Sequence, residues 1–428
     1  MKTGDTEGML SPYRVLDLTN ERGFLCGKLL GDLGADVLKI EKPGGDPARS
    51  MGPFYQNIPE PERSLYWWAF NVNKRGISLD IETAEGQKIF KRLVKSADVV
   101  VESFDPGYME GLELGYQALD RINPGIVMTS ITGFGQTGPY KDYKAAEITL
   151  WSLSGEGYVT GDPDRAPLMP SFPIGYSFAA TAAGVGTMVA LYHRAFTGEG
   201  QHVDAPAYLG LAWASGAEVQ GLWSIDKTIV KRSGSTWLRA QTGTGGAEVN
   251  YISLPLIYKC KDGYLRFMPF VEIGMLPSTM GLTDWVIEEG TASEALKKVD
   301  WRTWNWQTVS QETVDEITQS FSRFFNKYTN AELWEGAQKR GIQLYPLLTA
   351  SDMIEFEQLN LRGYWEEVHH PELSTQVTYP GAFVKLTEAP CKIRRRAPLI
   401  GEHNEEVYEK ELGFSREELQ VLKKGKVI

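Results

Sequence analysis

Cysteine is scarce in this chain. Three occur in 428 residues, Cys26, Cys260 and Cys391, far apart and with no Cys-x-x-Cys pair. That spacing argues against a disulfide framework and a structural zinc site, and it fits a reducing, cytoplasmic setting. Histidine is nearly as rare. The five residues His193, His202, His369, His370 and His403 show no metal-ligand spacing and no triad arrangement, so no metal is expected. Cations are outnumbered, with 44 Lys and Arg against 55 Asp and Glu and a net charge of −11. Nucleic acid is therefore not an expected partner, because neutralising phosphates needs a basic surface. The opening MKTGDTEGMLSPYR has no apolar run of the kind a signal peptide carries. No G-x-G-x-x-G follows the first strand-like run, so the motif that cradles a nicotinamide cofactor is missing.

Charge is missing altogether from one long stretch, Ser171 to Tyr192 (SFPIGYSFAATAAGVGTMVALY). Its length is about what a bilayer crossing takes, roughly 20 residues. It contains a proline near its start and is rich in Ala, Gly, Ser and Thr rather than Leu and Ile, so a buried core helix is expected and no membrane.

What is present is a β-α-β rhythm. Arg14 to Leu18 reads as a short buried strand, Gly27 to Leu33 as a helix stopped by Gly34, and Asp36 to Glu41 as the next strand. Ile77 to Asp80 is strand-like. Thr83 suits the N-cap of a helix over 84–96, whose Ile89, Leu93 and Val94 follow a helical period. Strand 98–102, helix 116–121 and strand 126–131 continue the pattern, and a final helix is expected over 417–424. The expected fold class is α/β, with a Rossmann-type, doubly wound parallel sheet. The rhythm breaks after about Trp223. Residues 224–250 are polar and Gly-rich and read as a linker. Residues 251–340 read as a smaller α+β domain with a hairpin turn at Lys261-Asp-Gly263. The expected division is thus 1–223 and 341–428 for a large domain, with 251–340 inserted.

Nine blocks along the chain carry a family resemblance. They are Val15–Thr19 (VLDLT), Gly31–Arg49, Asn71–Asp80, Ala97–Gly107, Gly133–Tyr140 (GFGQTGPY), Thr197–Asp204 (TGEGQHVD), Lys261–Tyr264, His370–Leu373 and Arg396–Val407 (RAPLIGEHNEEV). In this order they resemble the family III CoA-transferases, the group of formyl-CoA transferase and carnitine CoA-transferase. The α-methylacyl-CoA racemases share that fold. The resemblance implies a Rossmann-like large domain built from both chain ends and an interlocked dimer. It implies a coenzyme A thioester as substrate, with no permanently bound cofactor. It also implies an aspartate nucleophile that passes through an anhydride and an aspartyl-CoA thioester, under a glycine loop that excludes water.

The departures from the family pattern cluster at its chemistry. Counting back from Thr197–Gln201, the nucleophile's position is Tyr176, and no acid occurs from Ser171 to His193. A phenol has an ordinary pKa near ~10 and cannot form an aspartyl anhydride. The Asn that the family places after the fourth strand is Ser103, and the CoA-phosphate arginine falls on Gly111. A cation survives as Lys42 where Arg is usual, and Lys42, Lys74, Arg75 and Ser103 are the expected CoA ligands. Glu147 is the remaining candidate beside the acyl group. Thr242–Gly246 stands as the cover loop or a plain linker. His403 is expected to be structural, and the run Lys392–Arg396 is expected to be a solvated edge or an interface contact, with an anionic ligand as the alternative.

Loss of the chemistry with retention of the scaffold implies a heteromer. A related CoA-transferase subunit would carry the catalytic aspartate, and this chain alone would be inactive. Members that move CoA from succinyl-CoA to benzylsuccinate, an aromatic dicarboxylate, resemble this arrangement. The Trp67-Trp68 pair and the Trp301, Trp304, Trp306 cluster would suit an aromatic acid or serve packing. The competing expectations are a CoA-thioester racemase or isomerase, which needs an acid–base pair, and a non-enzymatic acyl-CoA-binding or scaffold relative.

Overall fold

The computed structural model describes residues 8–216, 224, 227, 232–241 and 250–428. They divide into two compact units. The larger combines residues 1–156, 170–221 and 357–428, and the smaller combines 157–169 and 222–356. The pieces 157–169 and 341–356 thus join the smaller unit, although the sequence reading left both with the large domain, and within the expected linker Thr236–Gln241 is a strand paired antiparallel with Asn250–Pro255.

The larger unit is organised by a six-stranded sheet. Its strands are β1 (Arg14–Asp17), β2 (Asp36–Glu41), β3 (Lys74–Ser78), β4 (Val99–Glu102), β5 (Val127–Thr132) and β6 (His202–Pro206). All pairs are parallel, in the order β3-β2-β1-β4-β5-β6. This is the Rossmann order, with its reversal point between β1 and β4. The strands carry apolar residues on both faces because both faces are covered. Leu16, Leu38, Ile77, Val100 and Met128 face one core. That core holds α3 (Ala84–Val94), α4 (Tyr108–Gly111), α5 (Tyr116–Asp120) and the chain's C-terminal residues Val427 and Ile428. Val15, Val37, Val99 and Val127 face the other, which holds α1 (Phe24–Asp32), α8 (Ile174–Thr197) and α9 (Ala207–Gly216). Thr83 caps α3, its side chain accepting from the Gly86 amide. Gly34 follows α1 at φ +109°, where a side chain would be strained, so the chain turns there into β2.

The open edge at β3 is closed by the C-terminal tail. Gly76 N donates to His403 Nδ1 at 3.1 Å, Ser78 N to Asn404 Oδ1 at 2.9 Å, and Tyr408 Oη to the Ser78 carbonyl at 2.5 Å. Such cover removes an unpaired strand edge. Arg394 caps the carbonyl end of α1 through Gly31 O. The basic run at 392–396 therefore works partly inside the fold.

The 24-residue helix α8 corrects one expectation. It was expected to be buried, and it is buried on one face only. Ala179, Ala180, Ala183, Thr187 and Ala190 pack inward, while Phe178, Val185, Val189, Tyr192 and Phe196 are exposed, Phe196 to 74%. By length and composition this helix could cross a membrane, but its small-residue face packs on the sheet.

The smaller unit has its own aromatic core of Tyr258, Phe267, Trp285, Trp301, Phe321, Phe324 and Phe325. Strands Ile257–Lys259 and Tyr264–Arg266 pair antiparallel across the Lys261–Gly263 turn, and Tyr345–Pro346 joins them. Within this unit Trp301 meets Trp304 at a tilt and Trp304 meets Trp306 edge-on, and Trp67 and Trp68 pack in a core of the larger unit. All five are packing residues. Thr242–Gly246 lies outside the described residues.

Candidate functional site

In open parallel sheets, ligands bind beyond the carboxyl ends of the strands where the order reverses. Here that place is the pair of loops after β1 and β4. Asn20 and Ser103 tie them together. Asn20 N donates to Ser103 Oγ, and Ser103 Oγ donates to Asn20 Oδ1, both at 2.9 Å. Arg22, in the first loop, pairs with Asp105 in the second at 3.4 Å. Its guanidinium lies 5.5 Å from the centre of the Tyr176 ring, a cation–π contact.

Tyr176 is the third residue of α8 and only 7% exposed. Its hydroxyl donates to the Ala145 carbonyl at 3.2 Å, and burial raises its phenol further above the ordinary range. Near neutral pH it is therefore protonated and a weak nucleophile.

Glu147 opens α6 (Glu147–Leu153), and its carboxylate is fully engaged. Oε2 accepts from Gly175 N at 3.0 Å and Oε1 from Tyr176 N at 2.9 Å. These amides belong to the first turn of α8, whose N-cap position is Pro173, with no capping side chain of its own. A carboxylate there satisfies orphan donors and the helix dipole together. The positive end of α8 is therefore occupied by the chain's own acid, directly beside Tyr176.

The four expected CoA ligands are not brought together. Ser103 lies at the strand-order reversal, bonded to Asn20. Lys42 sits at the surface, half exposed, and pairs with Glu82 at 2.8 Å; Tyr108 Oη also donates to Glu82, at 2.7 Å. Lys74 lies in the core. Its ammonium donates to Phe24 O at 3.0 Å and Asn71 Oδ1 at 2.9 Å and pairs with Asp17 at 2.8 Å, which uses all three protons. Burial works against the Asp17 charge, but Lys74 and Lys39 together hold its carboxyl below the ordinary range. Arg75 is bidentate to Asp36, through Nε at 2.8 Å and Nη2 at 2.6 Å. Its Nη1 meets Glu406 and Glu411 in the C-terminal tail. Neither Lys74 nor Arg75 presents a donor to a phosphate in this arrangement. At Gly111, where the resemblance leads one to expect the family's arginine, an added Cβ would meet nothing within 4 Å.

Sequence reading missed Arg22, Asn20 and Asp105. The signal was available in the loop 20–25, where a cation, Arg22, follows the first strand. It also missed Glu102, at the end of β4. That carboxyl is buried, accepts from Phe104 N at 2.7 Å, and is pushed by burial up to about 7.

The parallel sheet, with its order reversing between β1 and β4, defines a Rossmann-like α/β protein. Residues 10–404 match the family model described as CoA-transferase family III, and the chain belongs to that family. It is 32% identical over 401 residues to the BbsE subunit of succinyl-CoA:(R)-benzylsuccinate CoA-transferase from Thauera aromatica, covering 93% of each chain. It is 31% identical over 425 residues to a succinyl-CoA–D-citramalate CoA-transferase from Chloroflexus aurantiacus, covering 98% of each. Among solved structures, a CAIB/BAIF family protein from Brucella suis superposes with a TM-score of 0.77 at 26% identity, over 94% of this chain and 99% of that one.

Proposed function

We propose that this chain is the non-catalytic subunit of a heteromeric CoA-transferase. The observation that carries the reading is Tyr176, a neutral, buried phenol where the family's nucleophilic aspartate falls, with the neighbouring Glu147 committed to a helix cap. A related chain supplies the aspartate. There the carboxylate attacks the donor thioester, the CoA thiolate leaves, and a mixed anhydride forms. The thiolate then attacks the aspartyl carbonyl of the anhydride and releases the donor acid. The acceptor carboxylate attacks the resulting aspartyl thioester and expels the thiolate. The thiolate then attacks the acceptor's carbonyl in the new anhydride, giving acceptor-CoA and the free aspartate.

The exposed stripe on α8, with Leu209 and Trp213 of α9, supports an obligate partner. Apolar faces of this kind mark association surfaces. An interlocked dimer with the related chain would cover it. The relatives' names point to succinyl-CoA as donor and to a dicarboxylic acid, benzylsuccinate or one like it, as acceptor. Lys42 and Ser103 are the residues we assign to a CoA contact, and Lys74 and Arg75 serve the scaffold. A racemase reading needs an acid–base pair that the first turns of α8 do not contain.

Native mass spectrometry of the protein purified from its source, with a CoA-transfer assay on the same sample, tests this. The reading expects a complex with a second family III chain that alone supports transfer. A homodimer that transfers CoA unaided would refute it.

A further inference from the structure

A second candidate site lies away from the strand-order reversal. A cavity of about 900 Å³ opens beside α5, near the amino ends of β5 and β6. Lys91 of α3 and Arg121 after α5 bring two positive charges to its lining. Glu110 of α4 and Glu113 after it bring two negative ones. None of the four makes a side-chain hydrogen bond or an ion pair with another described residue. Unlike charges that share a cavity yet stay unpaired leave both signs facing the space between them. A ligand carrying one charge would meet two like charges as well as two opposite ones. A ligand carrying both can satisfy each pair.

Two aromatic rings, Tyr116 and His202, join Gln117, Ala118 and Ile122 in the rest of the wall. Tyr116 stacks on His202, with ring centres 5.7 Å apart and planes at 16°. His202 Nε2 lies 2.8 Å from Ser130 Oγ, which holds the imidazole in place, and the buried Glu102 carboxyl stands behind Ser130. Burial pushes the imidazole below its ordinary range, so near neutral pH the ring is uncharged and does not repel an ammonium. An aromatic face beside two carboxylates is the setting in which a cationic headgroup is recognised.

We propose that this cavity binds a small zwitterion, an amino acid or a betaine. The ligand's ammonium would be held by Glu110, Glu113 and the Tyr116 ring, and its carboxylate by Lys91 and Arg121. Ligand pockets fall in the range of roughly 300–1,000 Å³, and this one lies inside it. The site does not depend on the CoA-transferase reading, because it uses none of the residues at the strand-order reversal.

The test is calorimetric titration of the full chain, with its partner subunit if one copurifies. The probes are glycine betaine and the twenty L-amino acids, taken singly, with tetramethylammonium and acetate as single-charge controls. At least one zwitterion should saturate, and both controls should bind at least roughly tenfold more weakly. Glu110→Gln and Arg121→Gln change exposed side chains and should leave the circular dichroism spectrum unchanged. Each should weaken the zwitterion roughly tenfold, the order expected when one charged partner is lost. No titration by any probe, or affinity indifferent to both variants, would overturn the proposal. Controls that bind as tightly as the zwitterion would overturn it too.

Discussion

Glu147 caps the helix that carries Tyr176: its two carboxylate oxygens accept the Gly175 and Tyr176 amides at 3.0 and 2.9 Å. This carboxylate at the start of α8 is thus held by two backbone donors. Glu147→Ala should lower stability by about 1–2 kcal/mol, the usual size of a lost N-terminal cap. Thermal or urea unfolding would measure it. A loss of CoA transfer by the complex with stability unchanged would instead give Glu147 a direct part in the chemistry.

Tyr176 is expected to matter for packing and little for turnover. Tyr176→Phe removes one hydrogen bond, to the Ala145 carbonyl, and keeps the ring beneath Arg22. It should cost about 1 kcal/mol of stability. The complex should keep its CoA-transfer rate within roughly twofold, a difference of under ~0.5 kcal/mol.

Lys74 should behave as a structural ion. Lys74→Met leaves Asp17 buried, with Lys39 at 3.7 Å as its remaining cation. Breaking a buried pair on one side costs roughly 3–5 kcal/mol, which chemical denaturation would read. A phosphate ligand would show the opposite pattern, an unchanged midpoint with weakened CoA binding.

Glu102 predicts a pH dependence. Its folded carboxyl is raised to about 7 by burial, above an unfolded value near 4.5. The folded state therefore holds a proton that the unfolded state gives up between those values. The stabilisation is complete below about 4.5 and is lost as pH rises through about 7, a change on the order of 3 kcal/mol. Glu102→Gln should flatten this part of the stability–pH curve. The Gln carbonyl can still accept from Phe104 N.

The exposed stripe on α8 and α9 should be the association surface. Val189→Glu or Trp213→Glu places a charge where both residues are exposed, Trp213 to 81%. Either variant should keep the fold and abolish copurification of the partner chain, scored by size-exclusion chromatography.

Much of the sheet was legible because a doubly covered parallel sheet writes itself as short apolar runs. β2 falls where the sequence placed it, and Thr83 caps α3 as its residue type suggests. The expected third strand begins late, at Ile77, because the charges of Lys74 and Arg75 break the apolar pattern. Their partners Asp17, Asp36, Glu406 and Glu411 are what place them inside the fold. The short helix Leu65–Asn71 and α6 left no clear period. At the site, counting residues leads to Tyr176 as the expected nucleophile position. The role of Glu147 could not be read that way, since its partners lie 28 and 29 residues on. Arg22 was passed over because cation–π contacts have no sequence spacing.

The most direct measurement is to trap the acyl intermediate. The purified complex is mixed with a donor acyl-CoA and quenched, and each chain is weighed and peptide-mapped for a CoA or acyl adduct. The account predicts an adduct on an aspartate of the partner chain and none on this one. An adduct on this chain, on Glu147 or elsewhere, would contradict the claim that it carries no nucleophile.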